Sequence, residues 1–149
     1  MRIVIQRVSQ ASVSVEGHGT VASIDAGMLI LVGVENGDTE EDARWLAGKT
    51  AALRIFDDAE GVMNRSVCDV RGGIIAVSQF TLTASTRRGN RPGYIRAMHG
   101  AEALYDTYCR LLQEDSGITV GRGIFGADMD VALHNDGPVT IIIDSRLRE

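Results

Sequence analysis

GMLILVGV, residues 27–34, is a short continuous apolar run. Such a run is typical of a β-strand that is buried on both faces of a sheet. Before it, residues 3–5 also favour a strand, and residues 12–15 (SVSV) alternate polar and apolar side chains with the period of two that a half-buried strand shows. The beginning of the chain therefore predicts three strands.

Two long helices are predicted after these strands. Thr39, followed three residues later by Asp42, resembles a capping box, in which each side chain bonds the backbone N–H of the other residue. The apolar face that follows has helical spacing and consists of Ala43, Leu46, Ala47, Thr50 and Leu53. A second helix is predicted over 94–114, with Gly117 as its C-cap. Its stripe, which we expect to face the core, consists of Ile95, Met98, Tyr105, Tyr108 and Leu112.

Shorter strands complete the predicted elements, and residues 57–64 (DDAEGVMN) favour a hairpin or loop. The segment 73–82 begins with the apolar residues of a buried strand and becomes partly polar from Ser78 onward. The other predicted strands are 54–56, 118–120, 131–134 and 139–144. Because strands outnumber helices and do not strictly alternate with them, we expect an α/β fold with a mixed, largely antiparallel sheet and two long helices packed against it.

Length and composition limit the class of protein. The chain has 149 residues and a mass of 16.0 kDa, with 44% hydrophobic and 23% charged residues. These values suit one globular domain over 1–149 and exclude a disordered chain, a collagen, a coiled coil and a disulfide-stabilised mini-protein. No apolar run approaches the roughly 18 residues of a membrane span, and the N-terminal residues lack a signal-peptide core. We expect a cytoplasmic protein with no membrane partner.

Several kinds of reactive site have no support in the sequence. Cys68 and Cys109 are far apart and belong to no CxxC motif, so we expect two buried free thiols without a nucleophilic role. The histidines form no metal-ligand spacing, and we expect no metal site. The sequence contains neither GxxxxGK[ST] nor GxSxG, which argues against a P-loop protein and an α/β-hydrolase.

The charge is acidic overall but basic in one place. A net charge of −5 and a pI near 5.2 argue against broad, sequence-independent nucleic-acid binding, and we expect no DNA partner. Binding one end of an RNA remains open. Residues 85–96 (STRRGNRPGYIR) carry Arg87, Arg88, Arg91 and Arg96 with no acid. This segment is either a solvated loop or a loop that contacts phosphate, since a guanidinium group matches phosphate oxygens.

Residues 78–82 (SQFTL) place two hydroxyls, an amide and an aromatic ring at the end of an apolar strand. If the strand continued through them, Ser78, Phe80 and Leu82 would point to one face and Gln79 and Thr81 to the other. The segment is either a pocket wall or a half-exposed strand whose polar side chains lie in water.

Residues 135–140 (NDGPVT) have the composition of a turn. The bond between Gly137 and Pro138 can be cis at modest cost, and a cis bond reorients the neighbouring carbonyl groups. Since proline has no N–H, the dipeptide presents carbonyl acceptors that suit a ligand ammonium group. The sequence alone leaves the isomer open.

Together these stretches resemble the D-aminoacyl-tRNA deacylase family, and the similarity extends along the chain. SQFTL at 78–82 and NxGPVT at 135–140 are the most specific motifs. Further matching segments are 1–2, 6–8, 11–13, 31–34, 54–56, 63–64, 91–92 and 125–129. One departure is visible, because Gly93 and Tyr94 follow the Arg-Pro pair where the family usually has Ser-Phe.

The resemblance implies a homodimer in which sheet and helices form a barrel-like body. It also implies hydrolysis of the ester between a D-amino acid and the 3′ end of tRNA, with glycine mischarged on a non-cognate tRNA such as tRNA-Ala as a further substrate. Aminoacyl-tRNA is the implied partner, and no metal or organic cofactor is implied.

The resemblance also implies roles for individual residues. The pocket for the terminal adenosine and the ester would be lined by Ser78, Gln79, Phe80 and Thr81. Gly137 and Pro138, joined by a cis bond, would reach into the partner subunit's pocket, where their carbonyls hold the substrate ammonium and exclude an L side chain. Arg7 is a candidate for orienting this motif, and a surface or structural role is the alternative. Arg87, Arg88 and Arg91 are candidates for contacts to tRNA phosphate.

Two mechanisms remain open for breaking the ester. Thr81 is a candidate nucleophile, but no histidine or lysine in its motif would activate the hydroxyl. In the alternative, which we favour, the vicinal 2′-hydroxyl of the RNA assists an attacking water and the protein supplies position and hydrogen-bond donors.

Two other classes of function are weighed against an editing hydrolase. The first is a non-catalytic module that binds the end of aminoacyl-tRNA, suggested by the arginine-rich segment and by Phe80, an aromatic ring that can stack on a base. The second is a hydrolase of free D-amino-acid esters, which has no need of the arginine-rich segment.

Overall fold

One long strand organises the sheet in the computed structural model, which describes residues 1–149. This strand, β1 (Arg2–Val15), is antiparallel to each of its neighbours. Its first half pairs with β3 (Gly27–Gly33), and its second half pairs with β2 (Gly19–Ile24). On its other side it pairs along almost its whole length with β8 (Met129–Asp144). The predicted pairs of short strands at both ends of the chain are therefore two long, irregular strands.

The remaining strands of this sheet are parallel to β3. Strand β3 pairs with β6 (Gly73–Ser78), which pairs in turn with β7 (Val120–Arg122). The result is a six-stranded, nearly closed, barrel-like sheet with both antiparallel and parallel pairs. The predicted fold class is thus confirmed.

Two long helices and several short elements pack around the sheet. The long helices are α1 (Glu40–Ala52) and α3 (Glu102–Ser116). The short elements are the hairpin of β4 (Phe56–Asp57) and β5 (Met63–Arg65), the single-turn helix α2 (Val67–Val70), and a 3₁₀ helix (Phe80–Thr83). None of the helices combines the length and the apolar character needed to cross a membrane.

Strands β3 and β6 separate two apolar cores. Side chains on one face, such as Ile30 and Ile74, pack with α1 and α3 in the larger core. Side chains on the other face, such as Leu29 and Ile75, pack with β1, β2 and β8 inside the barrel-like sheet. The prediction that residues 27–34 form a strand buried on both faces is therefore confirmed, as expected for the parallel part of a covered sheet.

Helix α1 begins with the predicted capping box, in which the backbone N–H of Thr39 donates to Asp42 Oδ2 at 2.8 Å. Its buried face contacts α3 through a polar pair inside the larger core. The Thr50 hydroxyl donates to the Leu46 carbonyl at 2.7 Å, so the Tyr108 hydroxyl, 3.0 Å away, is the donor to Thr50 Oγ1. The hydrogen bond leaves no buried hydroxyl unpartnered, which favours one packing of the two helices.

The second helix is shorter than predicted. It begins at Glu102 rather than at residue 94, and it ends as predicted at Gly117, which has a positive φ of 69°. The segment 94–100 forms turns instead, because its backbone bonds another part of the chain. The Asn36 N–H donates to the Arg96 carbonyl at 2.9 Å, and the Met98 N–H donates to the Val34 carbonyl at 3.2 Å. Tertiary pairing thus overrides the helical pattern, and Ile95 is exposed rather than in the core.

Both cysteines are free, with Cys109 buried and Cys68 half-buried. Burial raises the pKa of the Cys109 thiol to about 11. The Cys109 side chain is therefore protonated at neutral pH, which makes it a poor nucleophile.

Candidate active site

A cavity of about 760 Å³ opens where the three parallel strands end. Its walls include Val32 and Val34 at the end of β3, Ser78 at the end of β6, and the segment 125–129 that follows β7. Carboxyl ends of parallel strands meet at one edge of a sheet, which is the usual position of ligand sites in open α/β sheets. The volume lies within the range of roughly 300–1,000 Å³ that is typical of small-molecule sites.

Polar groups enter this cavity because the chain turns sharply after β6. The Gln79 N–H donates to the Val32 carbonyl at 2.8 Å, and the 3₁₀ helix begins at the next residue. Ser78, Gln79 and Phe80 all line the cavity. The strand does not continue to Leu82, so the predicted alternation of side chains through 78–82 is wrong. Thr81, the fourth residue that the resemblance implies for the pocket, does not line the cavity.

The 3₁₀ helix packs closely on the end of β3. A Cβ atom at Gly33 would lie 2.9 Å from the Cβ of Leu82, so a larger residue at position 33 would push the helix outward. Two arginines hold the carbonyl end of the same helix. Arg2 Nη1 donates to the Leu82 carbonyl at 3.2 Å, and Arg96 donates to the carbonyls of Thr83 and Ala84 at 3.2 Å. Carbonyls at the end of a helix have no hydrogen-bond donor within the helix, and these arginines supply the missing donors.

The hydroxyl of Thr81 is oriented by its neighbour in the motif. Gln79 Nε2 donates to Thr81 Oγ1 at 2.6 Å. The structure shows no imidazole, amine or carboxylate hydrogen-bonded to this hydroxyl. Activation of a hydroxyl nucleophile requires a base that accepts its proton, whereas here the neighbouring group is a donor.

Aromatic and apolar residues that the sequence pattern did not assign to the site form much of the cavity. The ring of Phe125 packs near Tyr105 with 5.9 Å between centroids, and the ring of Tyr94 packs edge-on against Phe80 at 5.0 Å. Met129 and His99 also line the cavity. Residues 94–99 lie between Gly93 and Gly100, and these two glycines are the only sequence feature that argues against a long helix beginning at residue 94.

Gly137 and Pro138 lie elsewhere on the same chain, in the irregular middle of strand β8, so the turn predicted at 135–140 is instead part of a strand whose register with β1 shifts there. Their peptide bond is cis, and Gly137 has a φ of +119°. Both residues are exposed, and neither lines the cavity described above. The structure of one chain therefore does not bring this dipeptide together with Ser78, Gln79 and Phe80.

Arg7 is in direct contact with the segment that carries this dipeptide. Its guanidinium donates from Nε to the Asp136 carbonyl at 3.2 Å and from Nη1 to the Ile55 carbonyl at 2.8 Å. Carboxylates of Asp57 and Asp136 each lie 3.3 Å from it. The side chain of Arg7 is 10% exposed. These contacts join β1, the β4 region and residues 135–140 of β8 through a single buried group.

The arginine-rich segment forms a small hairpin, which we call the arginine hairpin (residues 85–93). Ser85 and Gly93 close it through two backbone hydrogen bonds of 2.8 and 2.9 Å. Arg87, Arg88 and Arg91 are exposed, and none of them has an ion pair or a side-chain hydrogen bond, in contrast to most of the other arginines. Arg96, just beyond the hairpin, is used structurally. The hairpin therefore carries three guanidinium groups without a protein acceptor, and its last residue, Gly93, is followed by Tyr94 of the cavity wall.

Comparison with known proteins places these features in a family. The family model described as "D-Tyr-tRNA(Tyr) deacylase" matches residues 4–144. Curated relatives named "D-aminoacyl-tRNA deacylase" include proteins from Flavobacterium johnsoniae, 56% identical over 151 residues, and Phocaeicola vulgatus, 54% identical over 151 residues. In both cases the match covers 100% of each chain.

Two solved structures share the fold. A structure titled "c-Myc DNA Unwinding Element Binding Protein" is 36% identical, with a TM-score of 0.90, and the match covers 97% of this chain and 98% of that one. A second, titled "Structural Analysis of a probable eukaryotic D-amino acid tRNA deacylase", is 18% identical with a TM-score of 0.81, covering 95% of this chain and 97% of that one. At that identity the second comparison shows the fold alone.

Proposed function

We propose that this chain, which belongs to the D-Tyr-tRNA(Tyr) deacylase family, hydrolyses the ester between a D-amino acid and the 3′ end of tRNA. The observation that carries the proposal is the cavity at the ends of the parallel strands, into which Ser78, Gln79 and Phe80 project. It combines apolar walls with a few hydrogen-bonding groups, the pattern that suits a nucleoside attached to a small polar ester. In this proposal the terminal adenosine and the ester occupy the cavity.

The selection between D and L esters is proposed to come from a second copy of the chain. Gly137 and Pro138 are exposed and outside the cavity of their own chain, so in a homodimer they are free to enter the cavity of the partner. Their carbonyl groups would accept hydrogen bonds from the substrate ammonium. With the ammonium and the ester both held, the side chain of one enantiomer points into open space and that of the other meets backbone atoms.

Backbone atoms suit this filter, because their positions do not depend on a side-chain rotamer. The contacts of Arg7 with the carbonyl and carboxylate of Asp136 support a role for Arg7 in orienting the 135–140 segment. A filter that only rejects needs no recognition of each side chain, so it accepts many D-amino acids. Glycine has no side chain and passes the same filter, which makes glycine mischarged on a non-cognate tRNA such as tRNA-Ala a further proposed substrate.

Hydrolysis is proposed to use the RNA itself. The Thr81 hydroxyl accepts a hydrogen bond from Gln79 and has no base beside it, which supports the mechanism without a protein nucleophile. The 2′-hydroxyl next to the ester would then assist the attacking water, while the protein holds the ester in place and supplies donors to the developing negative charge. The Thr81 nucleophile remains the alternative.

Replacing Thr81 with alanine is expected to lower the turnover of a D-aminoacyl-tRNA by less than about tenfold, because the loss of one hydrogen bond to Gln79 is worth roughly 1 kcal/mol. Loss of a nucleophile would instead cost several orders of magnitude. The measurement is single-turnover deacylation by the wild-type protein and by Thr81→Ala. A parallel substrate that ends in 2′-deoxyadenosine is expected to react far more slowly with both proteins. Complete loss in a folded Thr81→Ala protein that still binds tRNA would favour the nucleophile.

Three exposed arginines in the arginine hairpin support tRNA as the partner. Guanidinium groups without a protein acceptor are suited to phosphate oxygens, so Arg87, Arg88 and Arg91 are proposed to contact the tRNA backbone. The proposal places the protein in the cytoplasm, where aminoacyl-tRNA is found, and requires neither a metal ion nor an organic cofactor.

The same arginines also favour a second function, a module that binds the end of aminoacyl-tRNA without catalysis. Incubation with D-Tyr-tRNA separates the two functions. Release of free D-tyrosine at a rate that increases with protein concentration supports the deacylase. Retardation of the tRNA in a gel without release of the amino acid would make the binding module the better interpretation.

A further inference from the structure

A pair of exposed aromatic rings forms one edge of the cavity. The rings of Phe80 and Tyr94 meet edge-on, with centroids 5.0 Å apart and an angle of 69° between their planes. Phe80 is 59% exposed and Tyr94 is 36% exposed, although both line the cavity. Rings left in water at the edge of a ligand cavity are a common feature of interaction sites. We call this pair the aromatic edge.

The aromatic edge is held rigidly from both sides. Phe80 is the first residue of the 3₁₀ helix, and Tyr94 directly follows the Ser85–Gly93 backbone pair. The Tyr94 carbonyl accepts from the Ala97 N–H at 2.9 Å, which closes a turn. Arg96 then connects this turn to the end of the 3₁₀ helix through the carbonyls of Thr83 and Ala84. A base that stacks here therefore causes only a small loss of conformational entropy in the two rings, which favours binding.

The aromatic edge is separate from the other aromatic group of the cavity. Phe125 packs near Tyr105 and belongs to the segment after β7, whereas Phe80 and Tyr94 belong to the 3₁₀ helix and to the turn after the arginine hairpin. The cavity therefore has two aromatic surfaces from different elements. One terminal nucleoside that stacks on the first leaves the second available.

We infer that the aromatic edge is the binding site for the base of the nucleotide that precedes the terminal adenosine of the tRNA. This inference rests on the proposed deacylase function. Single-stranded RNA is commonly bound by aromatic rings that stack on bases, combined with cationic groups that contact the backbone. Here cationic groups are carried by the element that leads into Tyr94, because the three unpaired arginines belong to the arginine hairpin, which closes at Gly93. Charge and stacking thus point to the same single-stranded segment.

Variants at Tyr94 distinguish the aromatic ring from the rest of the side chain. A phenylalanine ring at residue 94 would keep the same stacking surface, so Tyr94→Phe is expected to behave like the wild-type protein. Tyr94→Leu keeps apolar bulk but removes the ring, and it is the informative variant. Its folding is checked by far-UV circular dichroism and by thermal unfolding.

The test uses three D-tyrosyl esters of increasing length: adenosine, the dinucleotide cytidylyl-adenosine, and tRNA. For the wild-type protein, kcat/KM is expected to rise from the first ester to the second. For Tyr94→Leu, we expect a loss of kcat/KM that is roughly tenfold larger with the two longer esters than with the adenosine ester, mainly in KM, as for one lost stacking contact. Equal losses with all three esters would overturn the inference, as would no loss with any of them.

Two further measurements separate the possible explanations. With 2-aminopurine in place of the penultimate base of a short RNA that ends in adenosine, binding to the wild-type protein is expected to quench fluorescence, and binding to Tyr94→Leu is expected to quench it less. If the loss with Tyr94→Leu instead depends on the amino acid, differing between D-tyrosyl and D-alanyl esters, the aromatic edge binds the amino acid and the inference is wrong. Failure of the wild-type protein to hydrolyse any ester would refute the proposed function instead, and the fluorescence experiment would still test the base site.

Discussion

Replacing Gly137 with alanine is expected to lower D-aminoacyl-tRNA deacylation by about 100-fold or more. Gly137 has a φ of +119°, and an added Cβ would lie 2.9 Å from Nη2 of Arg7 and 2.9 Å from Cγ2 of Val139. An L side chain at such a φ is strained by roughly 1–3 kcal/mol. The backbone at residues 135–140 must therefore shift, and a displacement of about 1 Å in a group that positions the substrate is sufficient for a loss of this size.

The matched control is Gly61→Ala. Gly61 also has a positive φ, +76°, but a Cβ at this position meets no atom within 4 Å, and it lies in the loop between β4 and β5. This variant is expected to lose some stability and to keep the wild-type deacylation rate. If Gly137→Ala, folded as judged by circular dichroism, hydrolysed the D ester at the wild-type rate and still rejected the L ester, the proposed role of the 135–140 segment would be wrong.

A mixing experiment with this variant tests the proposal that each subunit contributes Gly137 and Pro138 to the cavity of its partner. Gly137→Ala keeps an intact cavity, whereas Gln79→Ala keeps an intact 135–140 segment. Neither protein alone is expected to be fully active. In a mixed dimer, one cavity would have both an intact Gln79 and an intact 135–140 segment from its partner. Recovery of activity after the two proteins are unfolded together and refolded would support a shared site, and no recovery in verified mixed dimers would contradict it.

Replacing Arg87, Arg88 and Arg91 together with glutamine is expected to weaken tRNA binding by about 100-fold at moderate salt. Each phosphate contact that is lost should lower the slope of log affinity against log salt by roughly 0.7 to 0.9, so the slope should fall by about 2 to 3. The three side chains are exposed and have no ion pair or side-chain hydrogen bond, so their replacement removes no internal contact. The measurement is a salt titration of tRNA binding.

A charge-matched variant controls for the change in net charge. Arg44, Arg71 and Arg110 lie outside the arginine hairpin, and Arg44 and Arg110 each pair with an acid four residues away in their helix. Their replacement by glutamine is expected to leave the salt slope nearly unchanged. If the hairpin variant bound tRNA as tightly as the wild-type protein, its phosphate role would be excluded. A deacylation rate that does not depend on the hairpin would favour the hydrolase of free D-amino-acid esters.

The sequence predicts best those elements whose residues are determined by local pattern and burial. The apolar run 27–34 forms a strand with one face in each core, because every side chain in its middle is apolar. The capping box of Thr39 and Asp42 forms as expected, since its hydrogen bonds are local. Both long helices were identified, and only the start of the second one was misplaced.

The errors occur where distant segments pair. Residues 94–100 have helical spacing, but their backbone bonds residues 34–36, a partner that no local pattern indicates. Residues 78–82 leave the sheet because Gln79 bonds the end of β3 and the chain then turns. Both segments line the cavity, so the prediction from sequence was weakest at the site.

The site itself was predicted in part. Ser78, Gln79 and Phe80 line the cavity, Thr81 does not, and Tyr94, Phe125 and Met129 were not assigned to the site from the sequence. Apolar residues carry no chemical signal in sequence, so their place in a wall follows only from the topology of β6, β7 and β8. The isomer of the bond before Pro138 was also undecided from the sequence, and the structure has it cis.

The central claim is that the protein removes D-amino acids, and not L-amino acids, from tRNA. The most direct measurement is the deacylation of D-Tyr-tRNA and L-Tyr-tRNA in parallel, with a metal chelator present and with spontaneous hydrolysis subtracted. We expect rapid loss of the D ester and no loss of the L ester above the spontaneous rate. Equal loss of both esters would contradict the proposed selection for D-amino acids. If neither ester were hydrolysed while the tRNA still bound, the proposed enzymatic activity would be contradicted.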